Sequence, residues 1–343
     1  MNSKIKRENG FSIIELLLLL LVAIIVIGVS IYIFKHVHKT TPTSSSTGTI
    51  STIHGPTIPD KGSYLGAWVN PGHGTGIGGT KSDEIANLKD FNTKVGKPVA
   101  IIDYWSGFKT AVPTAALNSI AQNGSVPLLN WGCSDVTSIS SGSEDSIINN
   151  YADGLKSYGK PVFLRWYWEF NEMSPAGKTP AGSGCNGYNN GQGYISAWQH
   201  IYTKFQEAGV KNVSFVWCPG YSGGNFASYY PGDKYVDWIG IDRYERTTNG
   251  KPLLSFTDMF SSYYNEWSSH NKPIFIAETA AMGSSNQSQY LTSMLNEAHS
   301  FPNIKAISYF DSIGPAGDWS LTGEGITAYQ NLNNSPYFSY KSN

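Results

Sequence analysis

Eight short runs rich in β-branched and aromatic residues recur after residue 63, and their regular spacing constrains the fold more than any other feature of the chain. They are "YLGAWV" from Tyr64, "PVAIIDYW" from Pro98, "VPLLNW" from Val126, "PVFLRWYWE" from Pro161, "VSFVWC" from Val213, "VDWIGID" from Val236, "PIFIAE" from Pro273 and "IKAISYF" from Ile304. Stretches with helical periodicity separate them, at residues 83–94, 113–122, 144–157, 193–208, 255–269 and 287–298. Several of these open on Ser or Asp caps or an early Pro. Eight strand–helix units in roughly 275 residues predict an α/β fold, a (β/α)8 TIM barrel, over a doubly wound sheet, because the order is regular and no second domain is needed. In such a barrel chemistry gathers at the carboxyl ends of the strands. Asp103 with Tyr104 and Trp105, Asn130 with Trp131, Glu169, Trp217 with Cys218, Asp242 with Tyr244, Glu278, and Tyr309 with Asp311 stand there.

The barrel is preceded by a very different segment. Residues 11–34, "FSIIELLLLLLVAIIVIGVSIYIF", contain no Lys, Arg or Asp. As a helix they would measure roughly 36 Å, enough for a hydrocarbon core of about 30 Å. Lys4, Lys6 and Arg7 precede the segment and place residues 1–10 in the cytoplasm, so everything after it is expected outside. Glu15 is the one acid in the run and is costly in lipid unless it pairs or sits at the interface. "KRENGFSIIELL" resembles a type IV prepilin signal, which implies cleavage between Gly10 and Phe11 and assembly through the helix in a pilus-like array. A plain signal anchor is the alternative, since "TPTSSSTGTISTIHGPTIP" would break a pilin's helix. The expected organisation is a leader (1–10), a single transmembrane helix (11–34), a flexible Ser/Thr/Pro linker (35–61) and an extracytoplasmic barrel (62–343). Outside the cytoplasm a disulfide is permitted, and Cys133 and Cys185, both in Gly/Ser/Asn-rich loops, are the expected pair, with Cys218 left as a buried thiol.

Composition narrows the partner. Lys plus Arg number 24 against 25 Asp plus Glu, which leaves no basic surplus for a nucleic acid. Aromatic residues make up 13% and include ten Trp, so either the core is unusually aromatic or ring faces serve at a surface. No CxxC or HExxH spacing marks a metal site, and neither metal nor cofactor is expected. "GHGTGIGG" contains GxGxxG, but within a closed barrel outside the cytoplasm it reads as a rim loop.

Two carboxylates draw attention. If Arg165 points into the barrel, strict alternation along "VFLRWYWE" turns Tyr167 and Glu169 the same way and Trp166 and Trp168 the other. Glu172 lies beyond the strand, with no direction fixed by the pleat. Glu278 ends a strand that is otherwise apolar. Paired carboxylates without metal ligands or a Ser-His-Asp set suit glycosidic bond cleavage, and sugar C–H faces stack on aromatic rings. A polysaccharide is therefore the expected partner, with Trp105, Trp131, Trp168 and Trp319 as platforms and His73 facing the cleft.

"RWYWEFN" (165–171), "YPGDKYVDWIGIDRY" (230–244) and "KPIFIAET" (272–279) resemble the corresponding segments of glycoside hydrolase family 26, the clan A retaining β-mannanases and β-glucanases. The resemblance implies Glu169 as acid/base and Glu278 as nucleophile. It implies Tyr244 as the tyrosine that hydrogen-bonds the nucleophile, and a β-mannan or β-glucan as substrate. Arg165 would orient the nucleophile, Asn171 would join the substrate-binding set, and Trp198 and Trp217 would serve mainly in packing. Trp168 departs from the family's usual His before the acid/base, and an indole donates but cannot accept. Glu172, directly after Asn171, stays open as a rival acid. A polysaccharide-binding barrel without activity and a minor pilin-like adhesive subunit are the alternative functions.

Overall fold

The computed structural model describes residues 55–70, 81–172, 191–247, 252–314 and 316–339, the side chains of residues 70 and 81–86 excepted. The expected leader, spanning helix and most of the linker lie outside these residues. Among the described residues no helix is long and apolar enough to cross a membrane.

The predicted strands are present and close on themselves. They are β1 (Tyr64–Asn70), β2 (Ile101–Ser106), β3 (Val126–Trp131), β4 (Val162–Trp166), β5 (Val213–Trp217), β6 (Trp238–Asp242), β7 (Ile274–Thr279) and β8 (Ile304–Gly314). Each pairs in parallel with the next, and β8 pairs with β1 from Tyr64↔Ala306 to Asn70↔Ser312, which completes a (β/α)8 barrel. A two-residue strand, β9 (Gly317–Asp318), folds back antiparallel on the end of β8. The helices are α1 (Lys81–Val95), α2 (Thr114–Gln122), α3 (Val136–Ser140), α4 (Asp145–Tyr158), α5 (Gly191–Glu207), α6 (Phe256–Trp267), α7 (Ser284–Glu297) and α8 (Gly323–Asn334). The short α3, capped by Asp135, and the last helix α8 were not anticipated; α3 is only five residues long, too short to show a period.

Local chemistry explains the boundaries. Ile148, Tyr151, Ala152 and Leu155 recur at helical spacing and put one face of α4 against the sheet, and Gly159 ends the helix at φ 71°, a left-handed conformation that glycine adopts without penalty. A capping box between Ser255 and Asp258 starts α6.

Two apolar layers result. The larger lies between the strands and the helices and takes in Trp131, Trp166, Trp198 and Trp217. The smaller fills the barrel's interior with one side chain after another from successive strands: Tyr64, Ile101, Leu128, Phe163, Val216, Trp238, Phe275 and Ala306. Phe163 meets Tyr64, Trp238 and Phe275 edge-on at centroid distances of 6.0, 5.0 and 5.3 Å. Two residues further along the strands the interior turns polar, and the candidate site begins.

Candidate active site

Arg165 is the centre of this polar floor. It faces inward from β4 with no solvent exposure. Its Nε donates to Asn130 Oδ1 at 2.5 Å, one Nη spans both oxygens of Asp242 at 2.7 and 2.9 Å, and the other Nη donates to Glu278 Oε1. Burial opposes the charge on the guanidinium, and Asp242 and Glu278 outweigh it, so Arg165 stays a cation. Cys218, a free thiol buried at the end of β5, donates to Asp242 at 3.1 Å. Burial pushes that thiol well up, so it remains a neutral donor.

Glu278 reaches this floor through an irregularity. Alternation from Phe275 and Ala277, which face the interior, would turn Glu278 outward with Ile274 and Ile276. The pairing slips, however, between Ile241 and Asp242 and again between Ile276 and Thr279. This bulge re-aims the side chain. Glu278 Oε1 accepts from Arg165 and Oε2 from the Tyr244 hydroxyl, while Thr279 turns outward to the Tyr290 hydroxyl on α7. Burial and the neighbouring carboxylates push the Tyr244 phenol well up, so it stays a donor.

Glu169 arrives by a second irregularity, and strict alternation fails beyond Trp166. Strand β4 ends at Trp166; Tyr167 and Glu169 then adopt φ of 44° and 50°, in the left-handed region. Tyr167 is turned out into the layer beneath the helices, wholly buried, instead of following Arg165 inward. Trp168 swings toward the cleft, its ring centre 5.7 Å from the Arg165 guanidinium and 6.0 Å from Trp105. The Glu169 backbone N–H is held by the Cys218 carbonyl at 3.0 Å. Its carboxyl, that of Asp242 and that of Glu278 bring oxygens within 4.8 Å of one another. Such a trio has the spacing to hold a cation, but the guanidinium of Arg165 already counters two of its members. Burial raises the Glu169 pKa to about 8, helped by Glu278 and Glu172 and opposed by Arg165 and Arg246. It is a neutral acid beside a carboxylate that an arginine and a tyrosine hold in place.

The remaining predicted residues divide. Trp105 and Trp168 are half-buried and flank the site with open edges. Trp131 is no platform: it is wholly buried, stacked between Phe108 and Tyr151 at 4.8 and 4.3 Å. Trp319 is 2% exposed and lies 4.8 Å from the Tyr244 ring, which it backs. Arg165 and Asn171 are too enclosed to meet a sugar directly. The Asn171 amide clasps Gly220 N–H at 2.8 Å and the carbonyls of Gly220 and Gly224 at 2.8 and 3.0 Å. Glu172 leans over Gly220 and accepts from Ser222 N–H at 3.0 Å; a Cβ on Gly220 would stand 2.2 Å from its carboxylate. Cys133 is disulfide-bonded, while its expected partner Cys185 and the predicted site residue His73 lie outside the described residues.

A cavity of about 530 Å³ opens beside Glu169, walled by Glu172 after β4, by Tyr221 and Ser222 after β5 and by Arg243 to Thr247 and Leu254 after β6. Sequence reasoning missed Tyr221, Arg243 and Arg246, whose only signal was their position just past strand ends. It placed Asp242 at a strand end but gave it no role, although alternation with Trp238 and Gly240 aims it inward beside Arg165.

Comparison with known proteins bears on this constellation. The family model for glycosyl hydrolase family 26 matches residues 143–312, a span that holds Arg165, Glu169, Asp242, Tyr244 and Glu278. Over that span the chain is similar to glycosyl hydrolase family 26. Endoglucanase H of Acetivibrio thermocellus is 30% identical over 297 residues, which cover 79% of this chain and 30% of that protein. A β-1,3-xylanase of Vibrio sp is 27% identical over 152 residues, 43% of this chain and 29% of the relative. The chain thus spans less than a third of either curated relative. Among solved structures, the β-mannanase from a symbiotic protist of the termite Reticulitermes speratus matches with a TM-score of 0.57 at 17% identity, covering 85% of this chain and 97% of that one. At that identity the likeness speaks to the barrel alone, and the chemistry of the site rests on its own side chains.

Proposed function

We propose that the chain is a retaining endo-β-glycanase that cuts β-mannan or β-glucan by a double displacement between Glu278 and Glu169, held outside the cytoplasm by the membrane helix expected at residues 11–34. The observation that carries this is the approach of the Glu169 and Glu278 carboxyls, with oxygens within 4.8 Å. Retaining enzymes hold their carboxyls about 5 to 5.5 Å apart, whereas inverting ones leave about 6.5 to 9.5 Å for a water. In the first step Glu278 attacks the anomeric carbon while Glu169 gives its proton to the departing oxygen. Arg165 and Tyr244 fix both oxygens of the nucleophile, and Asp242 shares the arginine's charge so that Glu278 is not fully neutralised. In the second step Glu169, now a carboxylate, takes a proton from the water that frees the sugar. Glu172 stands outside this trio and accepts from Ser222 N–H, which favours Glu169 as the acid.

The endo mode and the substrate class follow the relatives' names, an endoglucanase and a β-mannanase among them. Residues 62–343 incubated with a panel of β-mannans and β-glucans should release reducing ends, and nuclear magnetic resonance of the first product should show the β-anomer. Initial formation of the α-anomer would exclude double displacement. Absence of release from every member, with binding retained, would leave a glycan-binding barrel. Amino-terminal sequencing of the mature protein separates a cleaved prepilin-type leader from an intact anchor.

A further inference from the structure

Two cations line the cavity beside Glu169, and they are not equivalent. The Arg243 guanidinium is engaged: it lies 3.5 Å from the centre of the Tyr221 ring and donates to the Met259 carbonyl. Arg246 is exposed, its guanidinium carbon 5.4 Å from the Tyr244 ring and 5.9 Å from the Trp319 ring. It meets no carboxylate among the described residues. The adjacent acid, Glu245, is turned into its own loop, where it accepts from Thr247 N–H at 3.0 and 3.1 Å and from the Thr247 hydroxyl. Residues 71–80, 173–190 and 248–251, which follow β1, β4 and β6, contain neither Asp nor Glu. The cation is separated from the nucleophile only by the tyrosine that holds it, because the Tyr244 ring against which Arg246 lies ends in the hydroxyl bound to Glu278.

Resting on the reading of this cleft as a glycan site, we propose that Arg246 selects chains bearing a carboxylate, seating a uronosyl substituent of the substrate against the β6 wall of the cavity. A guanidinium presents a planar fork that matches a carboxylate in two parallel hydrogen bonds. The opposite wall carries Glu172, which repels an anion, so the two walls together fix the direction in which a charged substituent can point. The Arg246 charge also opposes the rise of the Glu169 pKa.

The test compares kcat/KM for a β-mannan or β-glucan oligosaccharide bearing a uronosyl group with that for the same oligosaccharide after carboxyl reduction. The wild-type protein should favour the acidic form by about 2- to 5-fold at low salt, a rim-exposed ion pair's worth. The preference should shrink as salt is raised. R246Q should bring the ratio close to one, and R246K should restore part of it. A wild-type ratio near one, or a preference that survives R246Q, overturns the assignment. Should neither oligosaccharide be cut, the proposed activity fails separately. Calorimetric binding of the acidic oligosaccharide then decides: weaker binding to R246Q supports the role, and equal binding refutes it.

Discussion

The barrel's interior has two floors built by the same strands, and they obey opposite rules. On the lower floor Tyr64, Ile101, Leu128, Phe163, Val216, Trp238, Phe275 and Ala306 exclude every charge and pack as a core. On the upper floor Asp103, Arg165, Asp242, Glu278 and Glu169 gather four acids around one guanidinium, and Asp103 Oδ2 and Asn130 Nδ2 are buried without a protein partner. Each such group costs about 1–3 kcal/mol. One floor gives stability to the fold, and the other consumes it to keep protons where chemistry needs them.

Substitutions on the two floors should therefore separate activity from stability. The largest effect is expected at Glu278→Gln, which removes the nucleophile and should lower kcat by at least about 10⁴-fold. It also relieves excess negative charge around Arg165, so the thermal midpoint should match or exceed the wild type; a large loss of stability would show that the upper floor is a core after all. Glu169→Gln should lower kcat on the order of 10³-fold. Wild-type activity should fall as pH rises through about 8, where Glu169 gives up its proton, and the variant should lack that limb. On the lower floor, Phe163→Ala should reduce unfolding free energy by about 3–5 kcal/mol while turnover per folded molecule stays near wild type. Denaturant titration beside active-site counting would reveal any coupling between the floors.

The smallest effect belongs to Asp103. Burial raises its pKa to about 8, with Glu278 adding to the shift and Arg165 and the Ser308 hydroxyl opposing it. In the unfolded chain the group titrates near about 3.9. Between those values the folded protein holds a proton that the unfolded chain has released, so this group's contribution to stability is full below pH 4 and lost as pH rises through 8. Asp103→Asn removes the titration and should stabilise the protein more at pH 9 than at pH 5, by at least about 1 kcal/mol. Equal shifts at both values would mean that Asp103 is ionised throughout.

Most of the lower floor was legible in the sequence, because eight apolar runs with regular spacing leave few ways to close a sheet. Arg165 and Asp242 were legible for the same reason: they keep the strand's alternation. The two glutamates are different. Strict alternation would bury Glu278 under the helices, and it aims Glu169 inward by a backbone path that the chain does not follow. A bulge in β7 and two left-handed residues after β4 decide both directions, and neither leaves a glycine or proline to announce it. Their places at strand ends singled out the two glutamates, and the family resemblance, which ties each Glu to a motif irrespective of pleat, assigned their roles. The aromatic excess misled in the other direction. Trp131 and Trp319 stand at strand ends as Trp105 and Trp168 do, and side-chain direction separates those that back other rings from those that border the opening.

The clasp of Asn171 on Gly220 and Gly224 has a mechanical corollary. It makes the peptide carrying Glu169 and the Tyr221 side of the opening a single rigid jaw. A bulkier substrate cannot widen that jaw without carrying the proton donor away from the bond it must break. Any adjustment to new glycans is thereby left to the facing jaw, the segment after β6 that bears Arg246 and Leu254.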